Sequence, residues 1–323
     1  MAADALPRKV VVGTMMQSFW EEYPGLEARL ETLGGIVDEM AERAQARCGR
    51  GLDLAVLTEY ALTGETRDLA ARAVSLKSGA MQVMGEAARR HGAYLIVGTV
   101  LKEESGGFSN AAVLLDREGR VAGVYRKVHA VADKEGDTCE GGVTPGRELP
   151  VFACDFGRLA IAICFDMNFD EVWEVYGRKG AEIVAWPTQS PQTVLPRCRA
   201  RTYGYYLVSS TWRDNASVFD PTGDIVAQIT EPERVLATEV DLTYVLLGWQ
   251  PKLEGGQLLR DRYREAVGYR YRESEDIGIF WSNDPARPIM QMVRESGLEL
   301  WSDCLARSRA TQDRVRGGPP PRE

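Results

Sequence analysis

The order of apolar segments predicts an α/β protein: two sheets packed face to face with helices outside, a four-layer α-β-β-α sandwich. Two observations carry this expectation. Strand and helix patterns alternate twice along the chain, and each run closes on a pair of short strands around a turn. The first run reads as a strand over 9–14, a helix over 26–46, a strand over 54–58, a helix over 67–90 and a strand over 93–100. In the second of these helices Leu69, Ala73, Leu76, Ala80, Met84 and Ala87 recur every three or four residues, which places one apolar stripe on a sheet. Strands over 111–115 and 121–125 then flank the turn Asp116-Arg117-Glu118-Gly119, a hairpin signal.

The second run repeats the theme with a strand over 158–164, a helix over 170–178, a strand over 181–186, a helix over 191–203 and a strand over 206–211. A hairpin around Asp220-Pro221-Thr222-Gly223 and a strand over 235–240 complete it. No composition break marks a linker, so residues 1–285 read as one domain, with 286–323 as a C-terminal extension. Ile289, Met292, Val293 and Leu298 give that extension an amphipathic helix, and 305–323, with five Arg and a Gly-Gly-Pro-Pro-Pro run, reads as a flexible or subunit-crossing tail.

The chain has 323 residues, with 39 Lys and Arg against 47 Asp and Glu, a net charge of −8 that opposes nucleic-acid or anionic-membrane partners. No apolar run approaches the roughly 18 residues of a membrane span, and the opening residues lack the apolar core of a signal peptide. A cytoplasmic enzyme is the expectation. The 6 cysteines show no Cys-x-x-Cys spacing and there are only 2 histidines, which disfavours a zinc ribbon, a disulfide framework or a His-rich metal site. His91 reads as the end of a helix stopped by Gly92, and His129 as a packed hydrogen-bonding residue.

Three reactive side chains stand at the ends of predicted strands. Cys164 closes the apolar run from Arg158 and is followed by a helix start, a corner where a helix dipole favours thiolate and the N–H of Phe165 can hold an oxyanion. Glu59 ends the strand Leu54-Ala-Val-Leu-Thr, and Lys127 ends Val121-Ala-Gly-Val-Tyr-Arg. Strand ends on one rim of a sheet are where such folds gather their chemistry. Each residue also has a plain reading: Cys164 as core, Glu59 as a turn cap, Lys127 as a solvated residue that blunts a sheet edge.

The trio, in the contexts Thr58-Glu59-Tyr60, Tyr125-Arg126-Lys127-Val128-His129 and Ile163-Cys164-Phe165-Asp166, resembles the Glu-Lys-Cys triad of the nitrilase, or carbon–nitrogen hydrolase, superfamily. The resemblance runs from about residue 8 to about 245 and takes in Glu140-Gly-Gly-Val-Thr-Pro-Gly146, Trp186-Pro187-Thr188 and Asp220-Pro-Thr-Gly223. Two segments depart from the family pattern: Phe169-Asp170-Glu171, where Phe-Pro-Glu is common, and Arg199-Ala-Arg-Thr202-Tyr203, where Arg-Ala-x-Glu-Asn is common.

The resemblance implies hydrolysis of a non-peptide C–N bond, amide or N-carbamoyl, through a thioester on Cys164. Glu59 is the expected general base, Lys127 and the Phe165 N–H the oxyanion donors, and Glu140 a second glutamate that orients the substrate nitrogen or the water. Tyr60, Phe165, Trp186, Thr188 and Gln189 are candidate pocket residues, with Trp212 a further one. No metal or organic cofactor has a task in this scheme. A homodimer or larger assembly is expected, with Val172, Trp173 and Tyr176 as a candidate apolar edge. Cys164-Phe165-Asp166 lies closer to the amide-cleaving branches than to nitrilases, which remain one alternative; a catalytically unused fold serving as a binding scaffold is another.

Overall fold

The computed structural model describes residues 5–134 and 136–320. Val10–Val240 form one compact unit, and residues 5–9 and 241–320 form a second.

The larger unit opens with β1 (Lys9–Met15), α1 (Leu26–Cys48), β2 (Leu54–Val56), α2 (Leu69–Arg72), α3 (Gly79–His91), β3 (Tyr94–Lys102), β4 (Phe108–Leu115) and β5 (Val121–Arg126). It continues with β6 (Val151–Cys154), β7 (Gly157–Ile161), α4 (Asp170–Arg178), β8 (Ile183–Pro187), α5 (Val194–Tyr203), β9 (Tyr206–Ser210), β10 (Ala216–Phe219), β11 (Ile225–Ile229) and β12 (Val235–Asp241). Two six-stranded sheets result, in the orders β12-β1-β2-β3-β4-β5 and β11-β10-β9-β8-β7-β6.

Alternation along the strands explains the layering. Val11, Met15, Ala55, Leu95 and Val97 pack with Leu33, Ile36, Val37, Met81 and Met84 of α1 and α3. Ala160, Val184, Trp186 and Leu207 pack with Val172, Trp173, Tyr176 and Ala200 of α4 and α5. The intervening residues, among them Val12, Val56, Ile96, Ile161, Ala185 and Val208, are also fully buried. The two sheets are joined at β1 and β9, where the Thr14 hydroxyl donates to the Ser209 carbonyl at 2.6 Å and the Thr211 N–H to that of Met15 at 3.0 Å. This is the α-β-β-α sandwich.

The expected helix over 67–90 is interrupted. Asp68 caps the single turn α2 by accepting from the Ala71 N–H, after which Ala73 turns extended. Val74 then joins the edge of β3, donating to Val100 at 3.0 Å and accepting from Lys102 at 2.8 Å. Ser78 caps a new helix, α3. The apolar spacing is compatible with a continuous helix, but a β-branched residue beside a free strand edge and two capping side chains divide it. Val172, Trp173 and Tyr176 are fully buried in the chain's own core, so they do not form the exposed edge expected for subunit pairing.

The smaller unit carries a three-stranded sheet, β13 (Tyr244–Gly248), β14 (Val267–Arg272) and β15 (Ile277–Ser282), in the order β13-β15-β14. With it go α6 (Gln257–Tyr263), α7 (Ile289–Glu295) and α8 (Trp301–Arg316). Ile289, Met292, Val293 and Leu298 enter its core, as their spacing predicts. Where the sequence suggests a flexible tail, 301–316 is helical, ending at Gly317 in the left-handed conformation. Among the described residues no helix is long and apolar enough to cross a membrane.

Candidate active site

Each reactive residue is held by backbone contacts beyond a strand end. Glu59 follows β2, and its approach to β3 depends on Gly98, where a Cβ would come within 2.1 Å of the Thr58 carbonyl. The Trp212 indole donates to Thr58 Oγ1 at 2.7 Å and to the Glu59 carbonyl at 3.0 Å. Lys127 follows β5; its N–H donates to the Asn110 carbonyl at 2.9 Å, and its own carbonyl accepts from Gly146 at 2.8 Å.

Cys164 sits three residues beyond the end of β7, at φ 42°, and begins a short 3-10 turn over Cys164–Asn168. Two groups fix this corner. The Trp186 indole donates to the Cys164 carbonyl at 3.0 Å. The buried Asp166 carboxylate accepts from the Ile163 N–H at 2.8 Å, the Tyr125 hydroxyl at 2.7 Å and the His129 N–H at 2.8 Å, which ties the corner to the segment bearing Lys127. His129 stacks flat on Phe169 at 3.7 Å, a packed residue rather than a base.

Lys127 Nζ donates to Glu59 Oε1 at 2.8 Å and to Glu140 Oε1 at 2.6 Å, with Glu59 and Lys127 almost wholly buried. Asn110 Nδ2 reaches Glu59 Oε1 at 2.8 Å and Glu140 Oε2 at 2.9 Å. Glu140 also accepts from the Tyr60 hydroxyl at 2.7 Å and the Val131 N–H at 3.0 Å. Tyr60, Glu140 and Cys164 all carry positive φ, at 56°, 45° and 42°. Such backbone in non-glycine residues costs on the order of 1 kcal/mol or more each and gathers at functional sites.

The charges differ in their poise. Burial pushes Glu59 above the usual carboxylate range despite Lys127. Burial acts the same way on Glu140, but Lys127 and the N–H donors outweigh it and hold its carboxyl low. Burial opposes the Lys127 charge, yet Glu59, Cys164 and Glu140 together hold the ammonium firmly protonated. Cys164 departs from the thiolate that the helix-corner argument suggests: burial and the Glu59 charge push its thiol up to about 12, against the pull of Lys127 and of bonds from the Thr188 hydroxyl and the Gln189 backbone. Cys164 leads a five-residue 3-10 turn, and α4 begins only at Asp170, so the helix expected at this corner starts six residues further on.

Cys164, Glu59, Lys127 and Glu140 line one cleft of about 480 Å³, together with Tyr60 and Gln189. Trp186, Thr188 and Trp212 are buried behind it: Trp186 and Trp212 brace the backbone, and Thr188 bonds the sulfur. The Phe165 ring, about one third exposed, packs edge-on against Phe169 at 5.6 Å. Trp20, Arg67, Asp133, Lys134 and Arg213 also line the cleft, all from loops whose approach no local pattern announces.

A family model described as carbon-nitrogen hydrolase matches residues 22–246. The chain belongs to that family. Among curated carbon–nitrogen hydrolase relatives, the omega-amidase NIT2 of Danio rerio is 25% identical over 189 residues, 51% of this chain and 67% of that protein. The human deaminated glutathione amidase is 31% identical over 160 residues, 42% of this chain and 48% of that protein. Among solved structures, Nit3 of Saccharomyces cerevisiae, a member of the nitrilase superfamily, superposes with a TM-score of 0.63 at 22% identity, covering 75% of this chain and 92% of that one. An amidase from Nesterenkonia sp. gives 0.59 at 21% identity, over 72% and 90%. The two segments that carry the departures touch through Arg199, which bonds the Asp170 carboxylate and the Met167 carbonyl.

Proposed function

We propose that this carbon–nitrogen hydrolase cleaves the C–N bond of a small amide or N-carbamoyl compound through a thioester on Cys164. The observation that carries the reading is the shared cleft: Cys164 faces a buried Glu59–Lys127–Glu140 cluster in which Glu59 Oε2 has no hydrogen-bond partner. The curated relatives named as amidases support the choice of an amide bond.

With its thiol held neutral by burial, Cys164 needs a base at the moment of attack, and Glu59, its carboxyl raised by burial, is placed for that task. As sulfur bonds to the carbonyl carbon, Glu59 takes the thiol proton and negative charge moves to the carbonyl oxygen. Lys127 and the Phe165 N–H stabilise that charge; one such donor is typically worth about 10²- to 10³-fold in rate. Collapse expels ammonia or an amine, protonated by Glu59, and leaves the thioester. A water deprotonated by Glu59 then attacks the acyl carbon, and the carboxylic or carbamic acid departs as Cys164 recovers its proton. Lys127 stays cationic throughout.

Glu140 already accepts four hydrogen bonds, which fills a carboxylate's capacity. Its part is therefore to hold Lys127 and Tyr60 at the cleft rather than to bind the substrate nitrogen or the water directly. Ammonia release from a panel of small amides and N-carbamoyl compounds, by wild type and by Cys164→Ala, tests the reading. Turnover by the wild type and none by a folded variant is expected; retention of more than a few per cent of activity would overturn the thioester.

A further inference from the structure

The hydrogen bonds around Glu59 distinguish its two oxygens. Oε1 accepts from Lys127 Nζ and from Asn110 Nδ2, each at 2.8 Å, whereas Oε2 is buried and receives no bond. Asn110 lies on β4 directly across from Lys127, whose N–H donates to its carbonyl. From there its side-chain amide enters between the two glutamates and also donates to Glu140 Oε2 at 2.9 Å. The opposite amide orientation would set an oxygen against two carboxylates, so the network settles which way Asn110 points.

We infer that Asn110 is a positioning residue of this site: with Lys127 it saturates Glu59 Oε1 and so reserves Oε2 as the oxygen that takes the Cys164 proton and returns it. An oxygen that accepts two charge-assisted bonds is the less basic of the pair, and a proton settles on the other. The groups facing Glu59 are Lys127 after β5, Asn110 on β4, Glu140 from the loop beyond β5 and Cys164 after β7, with Tyr60 beside it in sequence. Among the described residues, Asn110 alone bonds both carboxylates without carrying charge, so it joins them while leaving the balance of one ammonium against two carboxylates unaltered. Its own Oδ1 is buried without a partner, a cost accepted where both amide hydrogens are committed.

The inference rests on the thioester reading, and one experiment separates the two. Alkylation by iodoacetamide is followed site by site with mass spectrometry across pH 4.5 to 9 for wild type, Asn110→Ala and Asn110→Ser, with thermal melting to confirm folding. Wild-type Cys164 is expected to react much faster than the other five thiols, with a rate that falls on the acid side as Glu59 is protonated. Removing a donor from the Glu59 carboxylate raises its pKa, so in Asn110→Ala that acid limb moves up by about one pH unit, and the rate below it drops about tenfold. Asn110→Ser, which keeps one donor, falls between the two and carries the test if the alanine variant does not fold. An unmoved acid limb in a folded variant overturns the role of Asn110 and leaves the proposed function standing. Wild-type Cys164 no more reactive than the other thiols overturns both.

Discussion

Tyr60 donates its hydroxyl to Glu140 Oε2 across 2.7 Å, joining residues 80 apart in the chain, and both hold left-handed backbone to do so. The bond supplies one of the four donors that keep Glu140 ionised beside Lys127. Tyr60→Phe leaves the ring and removes that donor. A loss of about 10-fold in kcat is expected, in keeping with one hydrogen bond to a charged group. Steady-state kinetics of ammonia release check it; an unchanged kcat would place Tyr60 outside the working cluster.

Lys127→Met removes the cation that Glu59 and Glu140 share. The rate should fall about 10²- to 10³-fold, mostly in kcat. Stability should fall too, by roughly 3–5 kcal/mol, because two buried carboxylates lose their partner. Urea unfolding measures the second effect. A change confined to KM would contradict an oxyanion role for Lys127.

His129 couples the corner to pH. Its bond to Asp166 raises its pKa, burial opposes this, and Asp166 and Glu171 add their charges. A histidine raised in the folded state stabilises most fully below its unfolded value of 6.5, and that contribution disappears as pH climbs through the raised value. The melting temperature of the wild type should therefore decline above about pH 6.5 more steeply than that of His129→Gln. Parallel curves would show that the imidazolium does not support Asp166.

Amides should be turned over in preference to nitriles. Glu59, raised by burial, can carry a proton to the leaving nitrogen as the tetrahedral species collapses, which an amide requires. Matched pairs, an amide and the nitrile of the same carbon skeleton, give the comparison. Faster ammonia release from the nitriles throughout would reverse the assignment.

The sequence by itself determined the sandwich, and it singled out Glu59, Lys127 and Cys164 as candidates at strand ends. Alternating strand and helix patterns, together with residues that end strands, are local signals, and Glu59, Lys127 and Cys164 carry them in their immediate neighbours. Glu140 was marked by the resemblance of Glu140-Gly-Gly-Val-Thr-Pro-Gly146 to a family loop, not by a local pattern. Asn110 was hidden by a register shift. A regular hairpin around Asp116–Gly119 would set Ser109 opposite Lys127, but an irregularity at Leu114/Leu115 advances the pairing by one residue and brings Asn110 there. The state of Cys164 was likewise beyond local reasoning: a helix start argues for thiolate, yet burial and the Glu59 charge decide for the thiol. Trp186 and Thr188, expected as pocket residues from their place at a strand end, are buried in the structure: the Trp186 indole bonds the Cys164 carbonyl and Thr188 bonds its sulfur. Which residue a strand end presents is written in the chain; what faces it across the cleft, and with what charge, depends on elements that meet only when both sheets have closed.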